Sequence, residues 1–217
     1  MNMTLTPVWK KKTVGMHVLN EKGISLIEVL VSVVVLSIGM LGIAGLQAAV
    51  TKYQINIWSR TAISTLYSEI SDRIRMNPNV AGSSFVTGVT EASLYVISDD
   101  WTTQQSAALT TPSPNCNYAA CTNTERAAFD LIAWRQRVRA ELPRGTALIS
   151  GDRLAGFNIT LMWFDKEFTD KGNASDSVLT SSLTCDATET GLGRQTCCPA
   201  AAAAPAGVRC SRFSFLP

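Results

Sequence analysis

Two features of the chain could carry chemistry: a set of cysteines, and a carboxylate inside an apolar run. Cys116, Cys121, Cys185, Cys197, Cys198 and Cys210 make six cysteines, an even number. Thiols in such a set either pair as disulfides or bind a metal. Structural zinc sites use spacings such as CxxC and suit a reducing compartment. No CxxC occurs here, so disulfides are expected and no metal site is. Cys116 and Cys121 are close enough in sequence to close a small loop. Cys185 and Cys210 are expected to join the adjacent pair Cys197-Cys198, although sequence alone does not choose among the possible connectivities. The carboxylate is Glu28, the only charge in residues 24–50, where 19 of 27 residues are hydrophobic. An ionisable group at membrane depth costs at least about 2.5 kcal/mol, which makes Glu28 a functional candidate.

Other chemistry is poorly provided for. The one histidine is His17, so Ser-His-Asp and Cys-His catalysis are disfavoured. Asp99-Asp100 and Asp165 with Glu167 are loop acids of the kind that is usually solvated. There is no Gly-rich phosphate loop. No enzyme activity and no cofactor are expected. Arg126, Arg135, Arg137, Arg139 and Arg144 crowd one segment, but Glu125, Asp130 and Glu141 dilute their field. The net charge is only +2. A solvated helix face is expected there, not a nucleic-acid surface.

The elements that position these residues begin with the apolar run. Residues 29–50 contain no charge, and 22 helical residues would span about 33 Å, enough for a bilayer core of about 30 Å. Lys10, Lys11, Lys12 and Lys22 precede it against one acid, Glu21. The positive-inside rule keeps that end cytoplasmic and puts the rest of the chain outside. A cleaved signal peptide is the alternative. It would have a shorter core, and Gln47-Ala48-Ala49 is a poor cleavage site.

Gly23-Ile24-Ser25-Leu26-Ile27-Glu28 resembles the processing site of type IV prepilins: a basic leader ending in Gly, a hydrophobic first mature residue, and Glu four residues later. Ile24 stands where that family usually has Phe. The resemblance implies that a prepilin peptidase cuts after Gly23 and methylates the new amino group of Ile24. The apolar segment is then retained. It also implies that in a filament Glu28 pairs with the α-amino group of Ile24 on a neighbouring subunit, which answers the high cost of an unpaired buried charge. Gly39, Gly42 and Gly45 are small residues of the kind found at helix-packing surfaces. Each lowers helix propensity by up to about 1 kcal/mol, and in related pilins this stretch unwinds on assembly. Removing residues 1–23 takes away four lysines and one glutamate, leaving 15 basic and 16 acidic residues, a net charge of −1.

The helical pattern continues past residue 50. Ile55, Trp58, Ala62, Leu66, Ile70 and Ile74 recur at three- or four-residue spacing, flanked by Ile63 and Tyr67, and predict an amphipathic stripe. Asn77-Pro78 ends the helix, giving a span from about 25 to 76. Residues 79–115 read mostly as loop, with the apolar run Leu94-Tyr95-Val96-Ile97 open to a short strand or helix. Asn123-Thr124 is expected to cap a second helix from 125 to about 142, buried through Phe129, Ile132 and Ala133 with Trp134 or Val138. Residues 146–150 and 157–164 predict an antiparallel hairpin, the second strand half-buried. Residues 165–182 read as polar loop, 185–207 as irregular, and 208–215 as a final strand. The fold class is α+β: a long N-terminal helix, membrane-spanning then amphipathic, packed on a small antiparallel sheet with disulfide-bonded loops. The expected parts are a leader at 1–23, a membrane or filament-core helix at 24–50, its extension at 51–78, and a head at 79–217.

Later stretches narrow the resemblance. Asp72-Arg73-Ile74-Arg75-Met76-Asn77-Pro78, Ala128-Phe129-Asp130-Leu131 with Trp134, Leu142-Pro143-Arg144-Gly145 and Ile159-Thr160-Leu161-Met162-Trp163-Phe164-Asp165 resemble the PilV group of minor pilins. The likeness runs from Gly23 to about Asp165. It implies residence in the inner membrane with the head in the periplasm, then a place near the tip of a type IV pilus. Implied partners are the prepilin peptidase, other minor pilins, the major pilin and a tip-located adhesin. A pseudopilin of type II secretion shares the leader and Glu28 and is the nearest alternative. An unprocessed, single-pass anchored periplasmic binding domain is the alternative of another class.

Overall fold

A computed structural model describes residues 23–82, 92–169 and 178–217. The leader with its lysines and His17, and parts of the expected loops at 79–115 and 165–182, lie outside these residues. The chain forms two compact units, Met1–Thr51 and Lys52–Pro217.

In the first unit the dominant element is the start of α1, Leu26–Met76, a 51-residue helix. Its Leu26–Thr51 portion is 26 residues long and exposed along its length. At 1.5 Å per residue this is about 39 Å, long and apolar enough to cross a membrane. The helix ends at Met76 because Asn77 precedes Pro78.

In the second unit, α1 buries Ala62, Ile63, Leu66, Ile70 and Ile74. Trp58 is 65% exposed, so it leaves the expected stripe. The reason is geometric. Steps of four residues drift about 40° around a 3.6-residue helix, and a run from 58 to 74 cannot keep one face. The Ile55 side chain lies outside the described ones.

The second long helix, α3, runs Asn123–Glu141. Between the two, a short α2 covers Trp101–Ser106, where the sequence reads as loop. Asp100 caps α2 by accepting from the Thr103 amide at 2.7 Å. Thr122, not Asn123-Thr124, caps α3. It forms a reciprocal capping box with Glu125. The buried face of α3 is Ala127, Phe129, Asp130, Trp134 and Val138, while Ile132 and Ala133 are only half-buried. The Trp134 indole donates to the Leu66 carbonyl at 2.9 Å, tying α3 to α1. Past α3, Arg144 takes a left-handed φ of 53°, and the Gly145 amide donates to the Leu142 carbonyl. A Cβ at Gly145 would collide with the Val138 carbonyl oxygen.

The chain then forms β1, Thr146–Asp152, and β2, Gly156–Phe164. A short α4, Gly191–Thr196, lies in the stretch read as irregular. Last comes β3, Val208–Phe215. Among the described residues the sheet has the antiparallel order β1-β2-β3. Ile149 pairs with Ile159, and Met162 pairs with Cys210. Both faces of β2 are covered, which corrects the half-buried expectation. Phe157, Ile159 and Leu161 join the core of α1 and α3. Met162, with Leu148, Val208 and Cys210, packs on the other face against Trp101, Cys198 and Ala202. The segment around 198–204 therefore serves as a lid over the second face of the sheet.

Disulfides join Cys116–Cys121, Cys185–Cys197 and Cys198–Cys210. Their Cα separations are 5.7, 4.9 and 5.3 Å, within the usual disulfide range.

Candidate processing and assembly site

The segment around Glu28 has a local geometry that the sequence reading did not anticipate. Ser25 is the N-cap of α1, and Glu28 is the third helical residue. The Glu28 amide donates to Ser25 Oγ at 3.3 Å, and the Ser25 amide donates back to Glu28 Oε2 at 3.2 Å. Ser25 Oγ also donates to Glu28 Oε2 at 3.3 Å. This is a capping box, and its signal, Ser-x-x-Glu ahead of an apolar run, is present in the sequence. Glu28 thus satisfies one orphan amide and places its negative charge at the positive end of the helix. Gly23, Ile24 and Glu28 itself are all exposed.

Polar side chains further along the apolar stretch are satisfied within the helix. Ser32 and Ser37 hydroxyls donate to the carbonyls of Glu28 and Val33, each at 2.7 Å. This spares two hydroxyls from entering an apolar medium unpaired. The helix is regular through Gly39, Gly42 and Gly45, and a Cβ at any of them would meet nothing within 4 Å. Among the described residues, no packing demands glycine at these positions.

In the second unit, a polar cluster joins α1 to α3. Arg73 Nη1 donates to Asp130 Oδ1 at 2.5 Å, and Arg73 Nη2 donates to Glu69 Oε1 at 2.8 Å. The Tyr95 hydroxyl donates to Asp130 Oδ2 at 3.0 Å. Asn77 Nδ2 donates to Tyr95 Oη and to the Asn123 carbonyl. Burial works to lower the Arg73 pKa, but its two carboxylate partners outweigh it and the net direction is upward. Burial also raises the Tyr95 pKa well above the ordinary tyrosine value. Arg73 and Asn77 come from the stretch 72–78, and Asp130 from 128–131. Two separate stretches of the PilV-like resemblance are therefore one packed unit.

The arginine-rich helix is not a free basic face. Arg137 pairs with Glu69 at 2.6 Å and with Glu141 at 2.8 Å. Arg139 donates to the carbonyls of Ala107 and Gln104. Arg135 lies 3.8 Å from Asp99, and burial lowers its pKa. Arg144 sits over the rings of Trp101 and Phe164. Arg135, Arg137 and Arg139 fasten α3 to its neighbours, while Arg137 and Arg144 stay exposed, so the face is solvated as expected but also pinned. Arg126 is exposed, as expected. Among the described residues no group of three His, Cys, Asp or Glu side chains could hold a metal ion.

A long apolar helix opening on a capped Ser-x-x-Glu turn, then helices and a small antiparallel sheet with disulfides, is an α+β, pilin-like architecture. Residues 19–44 match the family model of the prokaryotic N-terminal methylation motif. Neither a curated protein nor a solved structure matches the chain. The motif supports a type IV pilin or pseudopilin processed by a prepilin peptidase and anchored in the membrane, and the motif family is structural.

Proposed function

We propose that the chain is a minor pilin of the type IV pilus, of the PilV group, acting in priming of assembly and presentation of a tip adhesin. The peptidase cuts after Gly23 and methylates Ile24. The apolar part of α1 waits in the inner membrane with the head in the periplasm. On assembly it leaves the lipid for a bundle of neighbouring helices, and Glu28 pairs with the amino group of a neighbour's Ile24. The glycines at 39, 42 and 45 give the helix local freedom as it enters the bundle. The observation that carries this reading is the match at residues 19–44, with Glu28 four residues after Ile24. The PilV assignment rests on the resemblance of the 72–78, 128–131, 142–145 and 159–165 stretches.

N-terminal sequencing of the membrane-extracted protein tests the processing. An N-methylated Ile24 is expected, and an intact Met1 would overturn the proposal. Sheared pili should contain the protein at low stoichiometry. Recovery only with a secretion apparatus would favour a pseudopilin instead.

A further inference from the structure

We propose that the three disulfides are installed in chain order by a thiol–disulfide donor alone, with no need for a disulfide isomerase. The inference rests on the reading above in one respect, that the head is exported with residue 52 leading and residue 217 last. The observation behind it is connectivity. Of the many pairings open to six cysteines, the structure uses the one in which each cysteine joins the next: 116 to 121, 185 to 197, 198 to 210. No bridge encloses or crosses another. A Cys197–Cys198 bridge is disfavoured, because adjacent Cα atoms sit about 3.8 Å apart and disulfides usually span about 4.4 Å or more.

Each bridge therefore joins the first free thiol to the next one that emerges: Cys121 meets Cys116 alone, and Cys197 reaches Cys185 one residue ahead of Cys198. As Cys121 follows Cys116 out of the membrane, one thiolate attacks the donor's disulfide and forms a mixed disulfide, releasing one donor thiolate. The second thiolate attacks the chain's sulfur in that bond and releases the other. Each bridge passes two electrons to the donor, which ends as a dithiol. The same exchange then joins 185 to 197, and finally 198 to 210.

Burial sets a deadline for the last bridge. Cys197 is fully buried, Cys198 is 4% exposed and Cys210 is 3% exposed. The last two lie in the core between the sheet and its lid, with Trp101, Leu148 and Met162. A donor must reach Cys198 and Cys210 before β3 and the 198–204 segment close. A wrong pair trapped there would be equally out of reach of an isomerase. A connectivity that forms correctly at first contact avoids the trap.

The test is thiol trapping and disulfide mapping of the full-length protein in cells lacking either the periplasmic donor or the periplasmic isomerase. Loss of the donor should leave most of the six thiols free. Loss of the isomerase should leave all three native pairs intact. Two variants then probe the order. Cys210→Ser should form the first two bridges normally in both the wild-type and isomerase-deficient backgrounds. Cys116→Ser puts later cysteines out of step, so without the isomerase its 198–210 bridge should fall several-fold. Trapping reads pairing whether or not a variant folds. Scrambled wild-type pairs without the isomerase, full oxidation without the donor, or equal behaviour of the two variants would overturn the proposal. If wild-type cells hold all six thiols reduced, the exported topology itself fails, and the state of Ile24 in the same sample separates that outcome.

Discussion

Arg73 near the end of α1 holds Asp130 of α3 at 2.5 Å across 57 positions of sequence. The Asp130 side chain is 7% exposed and that of Arg73 25%. Removing one partner of a buried ion pair strands the other, at a cost of about 3–5 kcal/mol. Here Glu69 partly compensates Arg73, whereas Asp130 keeps the neutral Tyr95 hydroxyl and, among the described residues, no second cation. Arg73→Met is therefore expected to cost more than Asp130→Asn, by about 1 kcal/mol, because it leaves an anion without its cation. Urea unfolding of the detergent-solubilised chain reads both. The double variant should cost less than the sum of the singles, and strict additivity would show that the contact carries no coupling.

Tyr95 should make the head sensitive to alkali. Burial is the main cause of its raised pKa. The Asn77 hydrogen bond opposes the shift, and the neighbouring Asp130 carboxylate adds to it. A tyrosine raised above its unfolded value of about 10 stabilises the fold fully below about pH 10. That contribution is lost as pH rises from there toward the folded value. The urea midpoint should accordingly fall steeply above pH 10. Tyr95→Phe should lower stability at neutral pH by about 1 kcal/mol, through the lost hydrogen bond to Asp130, and flatten the alkaline slope. An unchanged slope in Tyr95→Phe would assign the alkaline loss to another group.

Gly145→Ala should destabilise the head by about 1–3 kcal/mol, the range for forcing extra volume into a packed site. The added methyl meets the Val138 carbonyl oxygen, which is backbone and cannot rotate away. Gly39→Ala, Gly42→Ala and Gly45→Ala should leave thermal stability unchanged or slightly raised, since a Cβ there meets nothing within 4 Å. Circular dichroism melts of the four variants check this contrast. Any cost of the three helix replacements should appear in filament incorporation alone.

The sequence was most legible where a pattern ran long or ended sharply. Residues 26–76 combine an apolar run, a stripe and an Asn-Pro stop, and the helix ends at Met76. The alternation of 208–215 matches β3 to the residue. The six residues of α2 and of α4 cover less than two turns, too few for a period to show. Asp130 on a buried face looks like a mistake in an apolar pattern until Arg73 is brought to it. Arg135 and Arg139 look like part of a solvated run for the same reason: their partners Asp99 and Ala107 lie 30 or more positions away. Long-range polar pairing leaves no local periodicity. The Ser25–Glu28 box was legible, but Glu28 already had a role to fill.

That double role makes Glu28→Gln the decisive variant. A glutamine oxygen can still accept from the Ser25 amide and hydroxyl, so the capping box survives. The negative charge does not. If Glu28 pairs with the Ile24 amino group of a neighbour, a charge-assisted contact becomes a neutral one, a loss of about 1–2 kcal/mol and so roughly five- to thirtyfold in incorporation. Ser25→Ala inverts the experiment. It removes the cap acceptor, at about 1 kcal/mol, and keeps the carboxylate. A helix as long as α1 tolerates that loss, because fraying stays within its first turn. Quantitative blotting of sheared pili against the membrane pool should show Glu28→Gln inserted and processed normally but depleted from pili. Ser25→Ala should be present within about twofold of wild type. The opposite ranking would make Glu28 a helix cap and nothing more.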